Sequence, residues 1–275
     1  MNRLTLEKRT QIIGLLVEGT SLRATSRLAD VSINTVTKLL VDIGNACQTY
    51  HDEHVRGVQS RRVQCDEIWS FIYSKDKNIP ENKRGKHGIG SIWTWVGIDA
   101  DSKLAISWLV GNRDAAYARV FMQDIASRLT NRVQLTTDGL KAYLFAVEEV
   151  FGADIDFAQL IKLYGKPIEG DHRYSPAECT GTEKHVVTGR PHKKHISTSY
   201  VERQNLTMRM NMRRFTRLTN AFSKKVENHA HAVALHFMYY NFVRIHKTLR
   251  VTPAMQAGIT SKLWEIEDLA RLLEG

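Results

Sequence analysis

Three acidic residues, Asp66, Asp138 and Glu202, occupy positions where a carboxylate could bind a divalent cation. Asp66 interrupts a run that is otherwise apolar, and an acid inside such a run is costly unless it is paired or binds a metal. Asp138 directly follows the short apolar run at 133–137, which is where α/β sheets place ligand-binding groups. Metal-assisted phosphoryl transfer needs carboxylates from separate elements to converge on two ions about 4 Å apart. These residues are therefore the candidate ligands for such chemistry.

Glu202 belongs to a segment, 199–215, that is predicted to form one helix. Its apolar stripe has helical spacing and consists of Val201, Met208, Met212 and Phe215. Arginines surround the acid, namely Arg203, Arg209, Arg213, Arg214 and Arg217. Two interpretations remain open. Glu202 is either one partner of a structural ion pair, or one arm of a metal site whose anionic substrate the arginines hold.

Other titratable residues carry less weight. Glu67 points to the opposite face of its strand from Asp66, and it is interpreted as structural. Asp99 and Asp101 fit a turn better than an extension of an acidic pocket. Without paired cysteines, no structural zinc is expected from the histidines at His185, His192 and His195.

The elements that must position the acids follow an α/β order from residue 61 onward. The predicted strands lie at 61–73, 92–99, 104–110, 133–137 and 155–164, and the predicted helices between them at 114–129 and 140–150. Residues 165–197 are rich in Gly and Pro and are predicted to be a long loop. A further helix over 224–243 and a short tail helix from residue 252 are also predicted.

Residues 1–45 have the pattern of a helix-turn-helix. Ser32 is the predicted N-cap of a third helix that ends near Ile43. The residues of this helix that would face a DNA major groove are Asn34, Thr35, Thr37 and Lys38. A three-helix dimerisation or linker module is the alternative. Residues 46–60 are polar and are predicted to be a solvated linker.

The positive charge is concentrated in one part of the chain. The formal net charge is +10, and residues 165–250 alone hold 16 basic and 6 acidic side chains. This segment includes the basic tract with Lys193 and Lys194, so it favours a polyanionic partner. Three widely spaced cysteines fit a reducing compartment, and no run is long and apolar enough to predict a membrane span.

The ordered acids resemble those of the DDE transposases and retroviral-type integrases, whose catalytic core is ribonuclease-H-like. The matching motifs are Cys65-Asp66-Glu67-Ile68-Trp69, Thr137-Asp138-Gly139 and Tyr200-Val201-Glu202-Arg203-Gln204-Asn205, with Arg209 as the basic residue seven places after the Glu. The C-terminal motif at 240–249, followed by Thr252-Pro253-Ala254, is similar to that of bacterial insertion-sequence transposases, and most of all to the insertion-sequence-one type. Some members begin with a zinc-binding cysteine module, which has no counterpart in residues 1–45. Recognition of the terminal repeats is therefore expected to rest on residues 1–45 and the basic segment.

The resemblance implies a fold and an activity. The fold is α/β, with a ribonuclease-H-like mixed sheet flanked by helices and preceded by an all-α helix-turn-helix domain. The activity is that of a DNA transposase, in which Asp66, Asp138 and Glu202 are catalytic and hold two Mg²⁺ (or Mn²⁺). Water hydrolyses a phosphodiester at the element end, and the freed 3′-hydroxyl attacks target DNA. No organic cofactor is implied.

The same resemblance implies the partners and the domains. The partners are double-stranded DNA, as terminal inverted repeats and target, and at least one further copy of the chain; the expected location is the bacterial cytoplasm, at the nucleoid. Arg209 and Arg213 would hold phosphates near the metals from the helix face of Glu202. More distant backbone contacts are expected from Lys193, Lys194, Arg203 and Arg214. The predicted domains are 1–45 (helix-turn-helix), 46–60 (linker), 61–250 (catalytic) and 251–275 (helical tail). Two alternatives remain, a domesticated DNA-binding regulator and a nuclease that only cleaves.

Overall fold

The structure is a computed structural model that describes residues 4–86, 88–165, 179–216 and 220–274. The described helices are α1 (Leu6–Val17), α2 (Leu22–Leu28), α3 (Ile33–His54), α4 (Ala115–Arg128), α5 (Lys141–Phe151), α6 (Ser199–Asn211), α7 (Val226–Met238), α8 (Pro253–Gln256) and α9 (Ile266–Arg271). The described strands are β1 (Arg62–Ile72), β2 (Gly90–Asp99), β3 (Ala105–Gly111), β4 (Gln134–Thr137), β5 (Asp156–Tyr164) and β6 (Cys179–Thr188).

These strands form one mixed sheet in the order β3-β2-β1-β4-β5-β6. β1, β2 and β3 pair antiparallel, β4 and β5 lie parallel to β1, and β6 pairs antiparallel with β5. A three-stranded meander followed by two parallel strands on its β1 side is the ribonuclease-H-like arrangement. The predicted α/β fold class is therefore confirmed.

Helices cover both faces of the sheet. Successive side chains of a strand point to opposite faces, and the apolar side chains on each face are buried by helices. On one face, the fully buried Trp95 packs between the sheet and helices α4 and α5, with ring centroids 5.8 Å from Phe121 and 5.4 Å from Tyr143. On the other face, α6 packs against β1 and β2 and buries Val201 and Met208 completely. Among the described helices, none combines the length and apolar character needed to cross a membrane.

Helix α3 is longer than predicted, since it ends at His54 and not near Ile43. Its buried face continues at a spacing of four residues through Leu39, Ile43, Cys47 and His51. The prediction of a solvated linker over 46–60 is therefore wrong for its helical part, because the buried side chains keep the helix on the protein. α3 packs against α7, α1 packs against α9, and the first three helices share one hydrophobic core with the sheet. A separate domain ending at residue 45 stays a prediction.

Two other segments differ from the prediction. Residues 179–188 form β6 within the predicted loop; nearly all of its side chains are exposed, so it lacks the apolar alternation that reveals a strand. Residues 166–178 of that loop, and Arg217, lie outside the described residues. α6 stops at Asn211 because Met212 is extended (φ −123°, ψ 104°), and a 3₁₀ turn follows.

A close approach between α3 and α7 makes a first prediction. A Cβ atom added to Gly44 would lie 2.6 Å from the Cα of His231 and 2.3 Å from its Cβ. We expect Gly44→Ala to lower the free energy of unfolding by at least about 2 kcal/mol, because the two helices must separate. Gly14→Ala is the matched control, since its Cβ would meet Ile266 at an ordinary 3.5 Å and a helical alanine stabilises by up to about 1 kcal/mol. Equal effects in urea unfolding would contradict this packing.

Candidate active site

The two central parallel strands bring Asp66 and Asp138 together. In the β1–β4 pairing, Cys65 lies opposite Thr137, the last residue of β4. The next residues along the two strands, Asp66 and Asp138, therefore lie side by side. Beyond this point β1 continues, whereas β4 has ended. Asp138 is fixed by the backbone N–H of Leu140, which donates to its Oδ1 at 3.0 Å. The end of β4 thus opens a gap in the sheet that the carboxylates enter.

Three acids meet at this gap. Asp66, Glu67 and Asp138 each place one carboxylate oxygen within 4.8 Å of the others. Asp66 and Asp138 also border a cavity of about 690 Å³. Glu202 lines the same cavity, as do three basic residues, Arg113, Lys141 and Lys162. The structure therefore brings all three predicted catalytic acids to one cavity.

Asp66 lies on the face of β1 that α6 covers. Its Oδ2 accepts a hydrogen bond of 2.9 Å from Asn205 Nδ2 on that helix. Burial and, after it, the nearby charge of Asp138 raise the pKa of Asp66 to about 7. A carboxylate whose ionised form is disfavoured by burial and by another acid is stabilised when a cation binds.

Glu67 points to the opposite face of β1, where its cross-strand neighbour is Trp95. Its side chain is fully buried, and its Oε2 accepts a hydrogen bond of 3.0 Å from Arg113 Nε. Its carboxylate also interacts with the buried hydroxyl of the neighbouring Tyr143. Burial, followed by the charge of Asp138, raises the pKa of Glu67 to about 7. Strand alternation predicted the direction of Glu67, but not its approach to Asp138 past the end of β4.

Glu202 is held at the start of α6 by two side chains. Lys162 Nζ and Thr198 Oγ1 each donate to its carboxylate at 2.5 Å. An ion pair is therefore present, but its partner is a lysine of β5 and not one of the arginines of the 199–215 segment. The Glu202 carboxylate also lines the cavity of Asp66, although it lies outside the group within 4.8 Å. Both interpretations of Glu202 keep a structural basis.

The start of α6 is hydrogen-bonded to β1, the strand that carries Asp66. Gln64, two residues before Asp66, accepts hydrogen bonds through Oε1 from the backbone N–H groups of Tyr200 (2.8 Å) and Val201 (3.2 Å). These N–H groups have no partner within a helix at its first turn. The Gln64 side chain therefore sets the position of Glu202 relative to Asp66.

Arg113 and Lys162 are cavity residues that the sequence does not predict. Arg113 follows β3 and precedes Asp114, the N-cap of α4. Its Nη2 donates to Asp138 Oδ2 at 3.3 Å, and its guanidinium lies 4.7 Å from the ring centroid of Trp93. Nothing in the local sequence distinguishes these residues from other surface cations, since only the fold brings them to the acids.

The predicted DNA contacts lie elsewhere on the described surface, and none of them lines the cavity. At the start of α3, Asn34 and Lys38 are exposed, and Thr35 and Thr37 are half-buried. Ser32 caps this helix as predicted. Lys193 and Lys194 are exposed in a 3₁₀ turn before α6.

The arginines after Glu202 do not share one helix face. Arg203 is exposed and Arg209 is half-buried on α6, whereas Arg213 is exposed beyond the end of the helix. The predicted common face of Arg213 and Glu202 is therefore wrong. Arg214 turns inward and donates to Ser223 Oγ at 2.6 Å, and burial lowers its pKa to about 10. Arg214 is half-buried, and its contact with DNA stays a prediction.

Comparisons with known proteins find solved transposase structures at low similarity. No family model matches the chain, and no curated protein matches its sequence. A Mos1 transposase paired-end complex with the left transposon end is 13% identical, with 57% of this chain and 60% of that chain covered and a TM-score of 0.24. A Mos1 strand transfer complex is 13% identical, with coverage of 86% and 78% and a TM-score of 0.26. A piggyBac transposase synaptic complex with hairpin DNA is 9% identical, with coverage of 98% and 71% and a TM-score of 0.40. The chain thus spans less than two thirds of the length of the first of these structures.

Proposed function

We propose that this chain is a DDE-type DNA transposase, of the bacterial insertion-sequence-one type, that cuts the ends of its element and joins them to target DNA. The observation that supports this proposal is the convergence of Asp66, Asp138 and Glu202 on one cavity of a ribonuclease-H-like sheet. In the reaction, water breaks a phosphodiester bond at the element end and leaves a 3′-hydroxyl. That hydroxyl then attacks a target phosphodiester, so one P–O bond forms as another breaks.

Two Mg²⁺ or Mn²⁺ ions would be held by Asp66, Asp138 and Glu202. The donor set fits, because hard divalent cations prefer carboxylate oxygens and the side-chain partner of Asp66 is the neutral amide of Asn205. No described basic side chain pairs with Asp66, so its charge is left for a cation. When bound, such ions neutralise charge on the attacking and leaving oxygens and make water a better nucleophile.

The protein's own groups orient the acids. Asn205 holds Asp66, the N–H of Leu140 holds Asp138, and Thr198 holds Glu202. Positioning of this kind is a large part of catalysis in phosphoryl transfer, because the reacting groups must be in line. Lys141 and Lys162 line the same cavity and would attract the DNA backbone toward the acids.

DNA binding is proposed to use surfaces outside the cavity. The exposed start of α3, with Asn34 and Lys38, would enter a major groove. Phosphate contacts are proposed from the basic residues Lys193, Lys194, Arg203, Arg209 and Arg213. Two element ends must be joined together, so at least two copies of the chain would act in a synaptic complex. The proposed place of action is the bacterial cytoplasm.

A joining assay tests the proposed function. Duplexes from the two ends of the encoding element, a supercoiled target plasmid and Mg²⁺ are mixed with the protein, and joined products are counted. We expect joining by the wild type and a loss of roughly 10³-fold or more in Asp138→Asn, which removes a ligand charge. Joining by Asp138→Asn at the wild-type rate would refute the site. Cleavage without joining by the wild type would instead identify a nuclease.

A further inference from the structure

Arg113 lines the cavity and is anchored from three directions. Its Nε donates to Glu67 at 3.0 Å, its Nη2 donates to Asp138 at 3.3 Å, and its guanidinium lies 4.7 Å from the ring centroid of Trp93. The Arg113 side chain is 34% exposed, and it lines the cavity beside the acids. The guanidinium is therefore held by two acids and one aromatic ring, and it keeps partial exposure in the lining of the cavity.

The guanidinium keeps donors for a ligand. It has five N–H groups in a planar fork, and described residues engage two of them. The fork matches two oxygens of a phosphate group, which is why arginine binds phosphates in a bidentate manner. The bond to Asp138 is the longer of the two, and Asp138 is also a proposed metal ligand. Engagement of Asp138 by a cation would release a further donor of Arg113 toward the cavity.

Glu67 is costly to the fold, and its contact with Arg113 explains its presence. The carboxylate is completely buried, and the side chains that contact it are the Arg113 guanidinium and the Tyr143 hydroxyl. A buried ion pair is often replaced by apolar residues without loss of stability, so stability alone does not account for an acid here. The presence of an acid at this position is explained if the Glu67 carboxylate fixes the orientation of Arg113.

We infer that Arg113 is a phosphate-binding residue of the acid cavity and that Glu67 is its positioning residue; this inference rests on the proposed function. In the metal-free protein, the Arg113 guanidinium neutralises Asp138. In the metal-loaded protein, the same guanidinium binds a non-bridging oxygen of the DNA phosphate, while Glu67 and Trp93 keep its plane in place.

The inference is tested first without DNA. Mn²⁺ binding to the purified full chain is titrated by electron paramagnetic resonance for wild type, Arg113→Gln and Arg119→Gln. Arg119 is the matched control, because it is an exposed arginine on α4 that pairs with Glu149. We expect Arg113→Gln to bind Mn²⁺ about threefold to tenfold more tightly, since Asp138 loses a competing cation. Arg119→Gln should match the wild type.

The second readout is DNA affinity at saturating Mn²⁺, measured by fluorescence anisotropy with an element-end duplex. We expect Arg113→Gln to bind roughly 10- to 100-fold more weakly, the cost of a lost charge-assisted phosphate contact, and Glu67→Gln to show a smaller loss.

If Arg113→Gln does not fold, Arg113→Lys keeps the charge without the fork and should weaken DNA binding while Mn²⁺ affinity stays near that of the wild type. Wild-type DNA affinity in the Arg113 variants, or unchanged Mn²⁺ affinity in Arg113→Gln, would overturn the inference. Failure of the proposed function would appear separately, as a wild type that binds Mn²⁺ but joins no DNA.

Discussion

Asp66→Asn should abolish DNA joining and at the same time stabilise the metal-free protein. The folded state raises the pKa of Asp66 from its ordinary 3.8 to about 7. Between these values the folded protein binds more protons than the unfolded chain, so stability falls as the pH rises through this window. Above pH 7 the carboxylate is ionised in both states, and the fold bears the full cost of its burial. We expect the neutral asparagine to raise the free energy of unfolding at pH 8 on the order of 2 kcal/mol.

The measurement is urea unfolding in EDTA at pH 5 and pH 8, for wild type, Asp66→Asn and Asp154→Asn. Asp154 is the matched control because its side chain is 84% exposed. The advantage of Asp66→Asn should shrink toward pH 5, where the wild-type carboxyl is protonated in the fold. Added Mg²⁺ should stabilise the wild type and not Asp66→Asn, since a ligand that binds only the folded state raises its stability. If Asp66→Asn were less stable than the wild type at pH 8, burial of the ionised Asp66 carboxylate would not destabilise the metal-free protein.

Arg128→Ala is expected to lower the free energy of unfolding by roughly 3–5 kcal/mol, the cost of breaking a buried charged network. Arg128 is 2% exposed at the end of α4 and joins α4 to α3. Its Nε donates to Asp124 at 2.8 Å, its Nη2 donates to Asp52, and its Nη1 donates to the carbonyl oxygens of Val55 (3.2 Å) and His51 (3.3 Å). Truncation would leave two carboxylates and two carbonyl groups without this donor.

The control for Arg128→Ala is Arg119→Ala on the same helix. Arg119 is 54% exposed and pairs with the equally exposed Glu149, and exposed pairs of this kind contribute about 0–1 kcal/mol. Thermal and urea unfolding give the loss of stability in each variant. Both variants lose one positive charge, so a difference between them reports the burial of Arg128. If the two variants lost the same stability, the network of Arg128 would not be what fastens α3 to α4.

The sequence predicted the sheet and the acids because both leave local signals. Asp138 ends a short apolar run before a glycine, and Asp66 interrupts an apolar strand, so each position is unusual within a few residues. The part that was missed depends on where one strand stops beside another. Because β4 ends opposite Cys65, Glu67 reaches Asp138 from the far face of the sheet, and strand alternation alone cannot reveal this. Arg113 reaches the same acids from a loop after β3, which no spacing rule connects to them.

The errors in the helices and strands have the same origin. The polar residues of 46–54 predict a solvated segment. In the structure, Cys47 and His51 form a buried face of α3 there. The strand β6 is exposed on both faces, so its residues carry no apolar pattern. The charge of Arg214 predicts a DNA contact, whereas the structure shows a half-buried guanidinium that donates to Ser223. In each case tertiary packing determines the burial or the secondary structure of the residues, which residue type alone does not predict.

Cysteine substitution with a change of metal tests the site most directly. Mg²⁺ is a hard cation that prefers oxygen ligands, and a softer divalent ion such as Mn²⁺ tolerates a thiolate better. Joining is measured with each ion for Asp66→Cys, Asp138→Cys, Glu202→Cys and, as a neighbour that is not a proposed ligand, Glu67→Cys. We predict that the first three variants lose joining with Mg²⁺ and regain part of it with Mn²⁺, and that Mn²⁺ does not selectively restore Glu67→Cys. Full Mg²⁺-dependent joining by Glu202→Cys, or Mn²⁺ rescue of Glu67→Cys in its place, would contradict the assignment of Glu202 as the third metal ligand.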